Sequence, residues 1–469
     1  MKQRALCGQR KAFKEVLRKN VQPNFAFSLP LRRKLHPICC FLSSIMKKIP
    51  QLLHCATTLL LVMFMTFVAQ AQHIVVNNPD IGHVEVAVNG DVSRLPILVL
   101  GSGDRLTISF DDLTPEYRRY TWNVEHCDLS WQPTEGLFES EALANAPQNE
   151  PIESYEQSSL TATLFTHYAF HLGGTGSNAV CPLVSGNYRV IVFSEEDKEN
   201  PAFTIGFMVV ENSAQLAVQA TADTDIDYRR SHQQLNVTAD VSSLRLINPS
   251  VETHLLCVQN RSQFYTVKAP APTYQLGNQL KWEHCRSLIF PAGNEYRKFE
   301  MPSTRIPGMH VDRIRFNDEV YTADLIAELP RRDYYYDEDQ NGRSIIYTET
   351  SDNADTEADY VLTHFTLEAH NMETHPTIFV DGRWANGNAP YMMQYNPATD
   401  CYEADILLKQ GYYSYRYLAI EEAEGRAVVY NVDGDYYQTE NEYTLYLYYR
   451  PQGARYWHLA AFYDFNYKP

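Results

Sequence analysis

The sequence predicts an all-β protein made of tandem immunoglobulin-like or early-set β-sandwich domains, which follow a cleaved signal peptide. Two patterns favour this fold class. Beyond residue 71, short segments alternate apolar and polar residues, and turn-forming Gly, Pro, Asn and Asp separate them. No stretch in this part shows a convincing helical period, and the chain's 32 Tyr and 21 Phe provide large side chains for several cores.

The segment before position 72 has the features of a secretory signal peptide. Lys47 and Lys48 precede an apolar core at Leu59–Val68, and Ala69-Gln70-Ala71 is a small-residue cleavage site. The core is too short to span a bilayer. No cysteine stands just after it, so we expect no lipid anchor at the cut.

These features divide the N-terminal part into two predicted segments. Residues 46–71 form the signal peptide, and the mature chain begins at Gln72. Residues 1–45 carry ten Lys or Arg and one Glu, and the signal peptide is complete without them. We therefore interpret 1–45 as an upstream extension and expect translation to start at Met46.

Removal of the first 71 residues makes the chain strongly acidic. They contain twelve of the 40 Lys and Arg but one of the 57 Asp and Glu, which leaves 28 basic and 56 acidic residues and a net charge near −28. Such a surface repels nucleic acid and anionic lipid. We therefore expect neither as a partner.

The 398 residues after position 71 correspond to two or three domains at about 150 residues each. We predict a first β-sandwich over 72–212, a second over 213–332 and a third, early-set-like sandwich over 333–469. About seven strands in 140 residues fit an immunoglobulin-like first domain. The predicted strands of the first domain lie at 84–90, 94–113 (two strands around a Gly turn), 117–127, 167–172, 186–195 and 202–211. Those of the third lie at 359–369, 376–382, 401–408, 411–420, 442–450 and 457–465.

Cysteine usage argues against a disulfide framework or a zinc site. The mature part holds five cysteines, far apart and without a CxxC pair: Cys127, Cys181, Cys257, Cys285 and Cys401. We interpret them as buried free thiols, and a single bridge such as Cys127–Cys181 is the alternative.

Catalytic chemistry is not evident in the sequence. His126 and His284 each precede a cysteine on a predicted strand, so the paired side chains point to opposite faces and cannot share a site. The motifs G-x-S-x-G, HExxH, G-x-G-x-x-G and the P-loop do not occur. We predict that the protein is not an enzyme, with no catalytic residue, no cofactor, no metal and no small-molecule substrate.

One segment resembles a calcium loop. Asp337, Asp339 and Asn341 occupy loop positions one, three and five, and Gly342 occupies position six. Position twelve is Thr348 where a bidentate Glu is required. A hairpin turn at Asn341-Gly342 explains the same residues, because this dipeptide accepts positive φ at both central positions.

The stretch Phe379–Pro397 resembles early-set sandwich modules that bind starch-like glycans. Such modules stack sugar on two aromatic rings, and Trp384 matches the first. The second ring is normally three residues later, where this chain has Gly387. We therefore interpret the third block as having the fold of a glycan module without its ligand site, while residual glycan or calcium binding stays open.

The chain from Gln72 to Pro469 resembles the plug protein family of the type IX secretion system of Bacteroidetes-type bacteria. The most specific matches are "SFDDL", "HCDLSWQP" and "SGNYRV", with Tyr155, His167 and Leu172 between them. "DEDQNGR", "ADYVLTHFTL" and "VDGRW" resemble the later part of the family. No catalytic residues are carried over with this resemblance.

The resemblance implies a function. Type IX export uses a very large outer-membrane barrel, and the family member is a periplasmic protein that seals the barrel's periplasmic opening. The expected partner is this translocon, with peripheral membrane association through it alone, and the contact residues are unknown. The alternative is a periplasmic glycan-binding or carbohydrate-processing accessory protein.

Overall fold

A computed structural model describes residues 74–114, 116–370, 372, 374–385, 391–423 and 426–469. The predicted upstream extension, the signal peptide and Gly387 lie outside these ranges. None of the helices in the described part has the length and hydropathy needed to cross a membrane. Strands dominate, and the predicted all-β sandwich fold is confirmed.

The first sandwich is formed by a continuous part of the chain. One sheet has the strand order β2-β4-β9-β8, and the opposite sheet contains β12, β11, β5 and β7, with β1 and β3 paired to β12. A core of apolar side chains fills the space between the sheets, with Phe110 at its centre against the rings of Tyr120, Tyr168 and Phe203. The strands are β1 (Ile74–Val76), β2 (Ile81–Val88), β3 (Ile97–Val99), β4 (Arg105–Asp112), β5 (Tyr120–Cys127), β6 (Leu143–Ala144), β7 (Glu150–Pro151), β8 (Tyr155–Gln157), β9 (Thr166–Gly173), β10 (Cys181–Pro182), β11 (Gly186–Ser194) and β12 (Phe203–Val210).

Two turns predicted in this sandwich behave differently. Asn89 and Gly90 both have positive φ, 55° and 81°, and Val88 and Asp91 exchange two backbone hydrogen bonds around them, so this tight turn forms as predicted. The strands on either side of the Gly turn at 101–103 also form. They do not pair with each other, because β3 joins β12 while β4 joins β2 and β9.

The second sandwich combines two distant parts of the chain. Its one sheet has the order β13-β14-β18-β17, with β19 on β14, and its other sheet has the order β16-β15-β31-β32. The core includes Trp282, Leu445 and Leu447. The strands are β13 (Gln215–Thr221), β14 (His232–Asp240), β15 (Thr253–Gln259), β16 (Thr266–Lys268), β17 (Tyr274–Leu276), β18 (Gln279–Trp282), β19 (Ile289–Pro291), β31 (Asn441–Tyr449) and β32 (His458–Tyr467).

The third sandwich lies within the sequence of the second. Its sheets have the orders β20-β29-β25-β26, with β23 and β30 also on β29, and β21-β22-β24-β28-β27. Phe299, Phe365 and Tyr415 meet in its core. The strands are β20 (Arg297–Glu300), β21 (Val311–Phe316), β22 (Tyr321–Leu325), β23 (Ser344–Ile346), β24 (Tyr360–Glu368), β25 (Thr377–Asp381), β26 (Tyr391–Met392), β27 (Gln394–Asn396), β28 (Cys401–Lys409), β29 (Gly411–Ala423) and β30 (Arg426–Asn431). Helices are short: α1 (Glu139–Ala142), α2 (Pro249–Glu252), α3 (Ala354–Glu357) and 3-10 turns at Gln263–Tyr265 and Arg286–Leu288.

The domain boundaries 72–212, 213–332 and 333–469 stay a prediction. The sheet pairing shows a connection between distant strands that these boundaries do not include. β31 pairs with β15 over Thr253–Gln259, so the C-terminal hairpin completes the second sandwich. The parallel contact of Val210 with Leu459 then joins this sheet to the first sandwich, which makes a continuous sheet of ten strands.

Candidate functional site

The first histidine–cysteine pair has no shared site. The His126 ring contacts Thr134 Oγ1 at 2.8 Å and the Ser185 carbonyl at 3.1 Å, whereas the Cys127 sulfur lies 3.9 Å from the Glu125 carbonyl. Burial lowers the pKa of His126 to about 4 and raises the pKa of Cys127 to about 12. A neutral imidazole and a protonated thiol with separate partners are packing groups.

The second pair differs from the prediction in its backbone. β18 ends at Trp282, so His284 and Cys285 lie in a turn and not on a strand. His284 has a φ of 54° and reaches Asp225 at 2.9 Å near the surface, while Cys285 is buried. Left-handed geometry at a single residue turns the chain out of the sheet, and the strand pattern does not reveal this. All five described cysteines are free.

The segment that resembles a calcium loop is held by protein contacts. Asp337 pairs with Lys298 at 2.6 Å, and Asp339 accepts backbone N–H bonds from Asn341 and Tyr296. Asn341 and Gly342 have positive φ, as predicted, but no strand precedes the turn, so it is not a hairpin. Burial raises the pKa of Asp339 to about 6. No group of three or more acidic, His or Cys side chains in the described residues could hold a metal ion.

Trp384, the candidate sugar platform, is engaged inside the protein. Its N–H donates to the Ser414 carbonyl at 2.8 Å, and its ring stacks on Tyr391 and meets Tyr413 edge-on. Gly382 permits this position, because a Cβ there would lie 2.4 Å from the indole nitrogen. The Trp384 ring is therefore packed against other side chains, and it is not a free surface on which a sugar could stack.

Two clusters of buried and paired charged side chains lie where the sandwiches meet. We call the first set the Asp111 junction: Asp111 and His167 from the first sandwich with Tyr360 and Lys409 from the third. Asp111 and the Lys409 side chain are 1% and 2% exposed. Lys409 Nζ and the Tyr360 hydroxyl both donate to Asp111 Oδ2, at 2.7 and 2.6 Å, and His167 contacts Oδ1 at 2.7 Å.

At the Asp111 junction the positive charge of Lys409 compensates the negative charge of Asp111. Burial would raise the pKa of Asp111, but Lys409 and His167 hold it below its ordinary value. Lys409 also donates to the Asp355 carbonyl and lies 4.4 Å from the Phe165 ring centre, while His83 N–H donates to the Tyr360 oxygen. Both oxygens of the carboxylate thus have protein partners.

The second set, the Glu442 junction, brings all three sandwiches together: Arg261, Glu442 and Asp464 from the second with Arg343 and Arg383 from the third. Arg261 binds Glu442 Oε1 at 2.6 Å, and Arg383 and Arg343 approach Oε2 at 2.7 and 3.4 Å. Arg261 reaches Asp464 at 3.6 Å and donates to the Ser93 carbonyl of the first sandwich. Burial would raise the pKa of Glu442, but Arg383 and Arg261 lower it to about 2.

The first and second sandwiches are also joined by apolar contact. Ile97 and Met208 share a buried cluster with Val258, Tyr446 and Leu459. At its edge the Tyr448 hydroxyl donates to Asn187 Oδ1 at 2.8 Å, and Glu211 accepts from Ser185 and contacts His458. Phe379 and Leu418 likewise enter the core of the second sandwich from the third. The three sandwiches therefore pack as one interlocked body.

Sequence reasoning did not identify these junction residues. Asp111 belongs to the quoted "SFDDL" match, but nothing in that motif names Lys409, almost 300 positions later, as its partner. Lys409 and Glu442 stand in strands whose alternation predicts only β-structure. The one local signal was Glu442 at the start of the apolar strand "EYTLYLYYR", because charges that become buried are normally paired.

Comparisons with known proteins identify the family. A sequence model of the "Type 9 secretion system plug protein 1st domain" matches residues 81–211, which lie in the first sandwich. No curated protein matches the chain. The crystal structure of a hypothetical protein from Parabacteroides merdae, at 2.30 Å resolution, is similar with 34% sequence identity and a TM-score of 0.79, over 84% of this chain and 99% of that one. The matched domain supports one conclusion: this chain carries the first domain of the type IX secretion system plug protein family.

Proposed function

We propose that the protein is a non-enzymatic periplasmic plug that binds the outer-membrane translocon barrel of type IX secretion and closes its periplasmic opening. The observation that carries this proposal is the match of residues 81–211 to the plug protein's first domain. The predicted signal peptide supports a location beyond the inner membrane.

The junctions support a plug that acts by fixed shape. A seal against solutes requires a surface that does not deform when the barrel is idle. The Asp111 and Glu442 junctions tie the third sandwich to the other two, and the apolar cluster around Met208 ties the first to the second. Because removing one partner of a buried charge pair is strongly unfavourable, relative motion at these places is costly.

A stable seal also sets requirements on the partner. A specific interface buries at least about 1,200 Å² in total. The mature chain's net charge near −28 opposes docking unless the barrel's rim presents Lys or Arg. We expect association to slow as salt rises, because screening shortens the reach of these charges to about 8 Å at physiological ionic strength.

Gene deletion tests the sealing function. A strain without the plug should become sensitive to large antibiotics such as vancomycin, which an intact outer membrane excludes, while cargo export continues. A second strain that lacks both plug and translocon should be impermeable again, because the leak passes through the open barrel. This comparison separates a leak through the barrel from general envelope damage.

Two results would contradict the proposal. One is a deletion strain that stays impermeable while its translocon is present, and the other is a tagged plug that fails to recover the barrel from solubilised outer membranes at low salt. The glycan-linked accessory function would then become the leading hypothesis.

A further inference from the structure

A cavity of about 460 Å³ lies where the three sandwiches meet, beside the Glu442 junction. Its wall combines residues of the first sandwich (among them Arg94), of the second (Arg261) and of the third (Arg343, Arg383 and Trp384). Val92 and Ile345 also line it and are half exposed, so the cavity opens to solvent. Its volume falls within the roughly 300–1,000 Å³ typical of small-molecule sites.

The charges of the wall are not balanced. The other charged groups of the wall have partners: Lys409 binds Asp111, Asp381 binds Arg416, and Glu85 lies 3.5 Å from His83. At the Glu442 junction three guanidinium groups share two carboxylates, Glu442 and Asp464. Arg94, at the cavity wall, is exposed, and its charge interacts with those of Asp91 and Asp104. An excess of positive charge therefore faces a cavity in a protein whose surface is otherwise strongly acidic.

The arginines also retain donors that nothing accepts. Nε and Nη1 of Arg383 and Nε of Arg343 are buried and have no hydrogen-bond partner. Their remaining bonds to Glu442 use Nη2 alone. Burial and the positive charges of Arg261 and Arg343 lower the pKa of Arg383 to about 10, although the negative charge of Glu442 raises it. Charged donors without acceptors are unfavourable, so a further acceptor at this place would be bound strongly.

Part of the remaining wall is aromatic, and the other part is largely aliphatic and polar. Trp384, Tyr391 and Tyr413 lie together beside the arginines, with their rings packed on one another. A ligand that carries a negative group and an apolar part would contact the arginines with the first and apolar side chains of the wall, such as Val92 and Ile345, with the second.

We propose that this cavity binds a small organic anion, a phosphate or carboxylate with an aromatic or similarly flat apolar group, and that Arg343, Arg383 and Arg94 hold its charge. Binding joins all three sandwiches through one ligand. The inference is independent of the plug proposal, because it rests on the cavity and its arginines alone.

Titration calorimetry on the exported protein tests this with three probes. Phenyl phosphate supplies charge and ring, inorganic phosphate supplies the charge, and phenol supplies the ring. We expect phenyl phosphate to bind more tightly than either of the others. Arg383→Gln and Arg343→Gln should each weaken its binding roughly tenfold or more, since each removes a charged hydrogen-bond donor. Arg313→Gln, on the exposed β21, is the matched control and should leave the dissociation constant unchanged.

Arg94→Gln protects the test against misfolding, because this side chain is exposed. It should weaken phenyl phosphate binding while the thermal unfolding temperature stays at the wild-type value. The proposal is overturned if phenyl phosphate does not bind, which would leave a cavity that holds water only. It is also overturned if binding survives the Arg343 and Arg383 variants, or if inorganic phosphate binds as tightly as phenyl phosphate.

Discussion

The Asp111 junction joins the first and third sandwiches, the Glu442 junction brings all three together, and the two differ in their charge arrangements. At the Asp111 junction one buried carboxylate meets one ammonium, and the Tyr360 hydroxyl and the His167 ring contact its oxygens as well. At the Glu442 junction three guanidinium groups crowd around a single glutamate, and some of their N–H groups have no acceptor. The first arrangement is complete and serves to fix orientation. The second has spare positive charge beside a cavity, which a purely structural contact does not need.

The largest effect is expected from Lys409→Met. This substitution leaves Asp111 buried without its cation, and breaking a buried pair in this way costs about 3–5 kcal/mol of stability. Urea unfolding followed by tryptophan fluorescence measures the loss. Lys281→Met is the matched control, because Lys281 pairs with Glu283 at the surface and should change stability by about 1 kcal/mol or less. A loss below that of the control would show that the Asp111 junction does not hold the sandwiches together.

A smaller loss is expected from Glu442→Gln. The change removes a carboxylate that touches all three arginines, so their mutual repulsion is less compensated. Arg343 is 30% exposed, and water therefore screens part of that repulsion. We expect a loss of about 2 kcal/mol, between the values for buried and exposed pairs. Arg313→Gln provides the surface control. A larger loss of stability for Glu442→Gln than for Lys409→Met would show that the Glu442 junction stabilises the packing of the sandwiches more than the Asp111 junction does.

The contrast also shows how far sequence reasoning reaches. Alternation and turn residues predict most strands correctly, including 442–450 and 457–465, because this pattern reports local burial. They do not predict that β31 pairs with β15, since the whole third sandwich lies between these two strands in the sequence. The partners of Asp111 and Glu442 were missed for a related reason: they depend on which surfaces meet, and alternation carries no record of that. The turn at His284 was missed because it depends on left-handed geometry at one residue.

Acid titration should show a third, smaller effect at the Glu442 junction. Glu442 has a pKa of about 2 in the folded protein against an ordinary 4.5, since the arginines outweigh the effect of burial. Its contribution to stability is complete above about pH 4.5 and is lost as the pH falls toward 2. The stability difference between wild type and Glu442→Gln should therefore be largest above pH 4.5 and shrink on acidification. Urea midpoints measured from pH 6 down to pH 3 test this, and a constant difference would contradict it.

The smallest effect concerns neutral sugars, for which we expect no binding at all. The Glu442 junction offers positive charge, and Trp384 beside it is fixed by its hydrogen bond to Ser414 and its contact with Tyr413. A maltooligosaccharide has no charge to pair with the arginines, and it needs an accessible pair of rings that this tryptophan does not provide. Calorimetry with maltoheptaose should show no heat beyond dilution for the wild type or for Trp384→Ala. Micromolar binding that Trp384→Ala abolishes would reverse this expectation, and the cavity would then be a glycan site whose arginines serve structure alone.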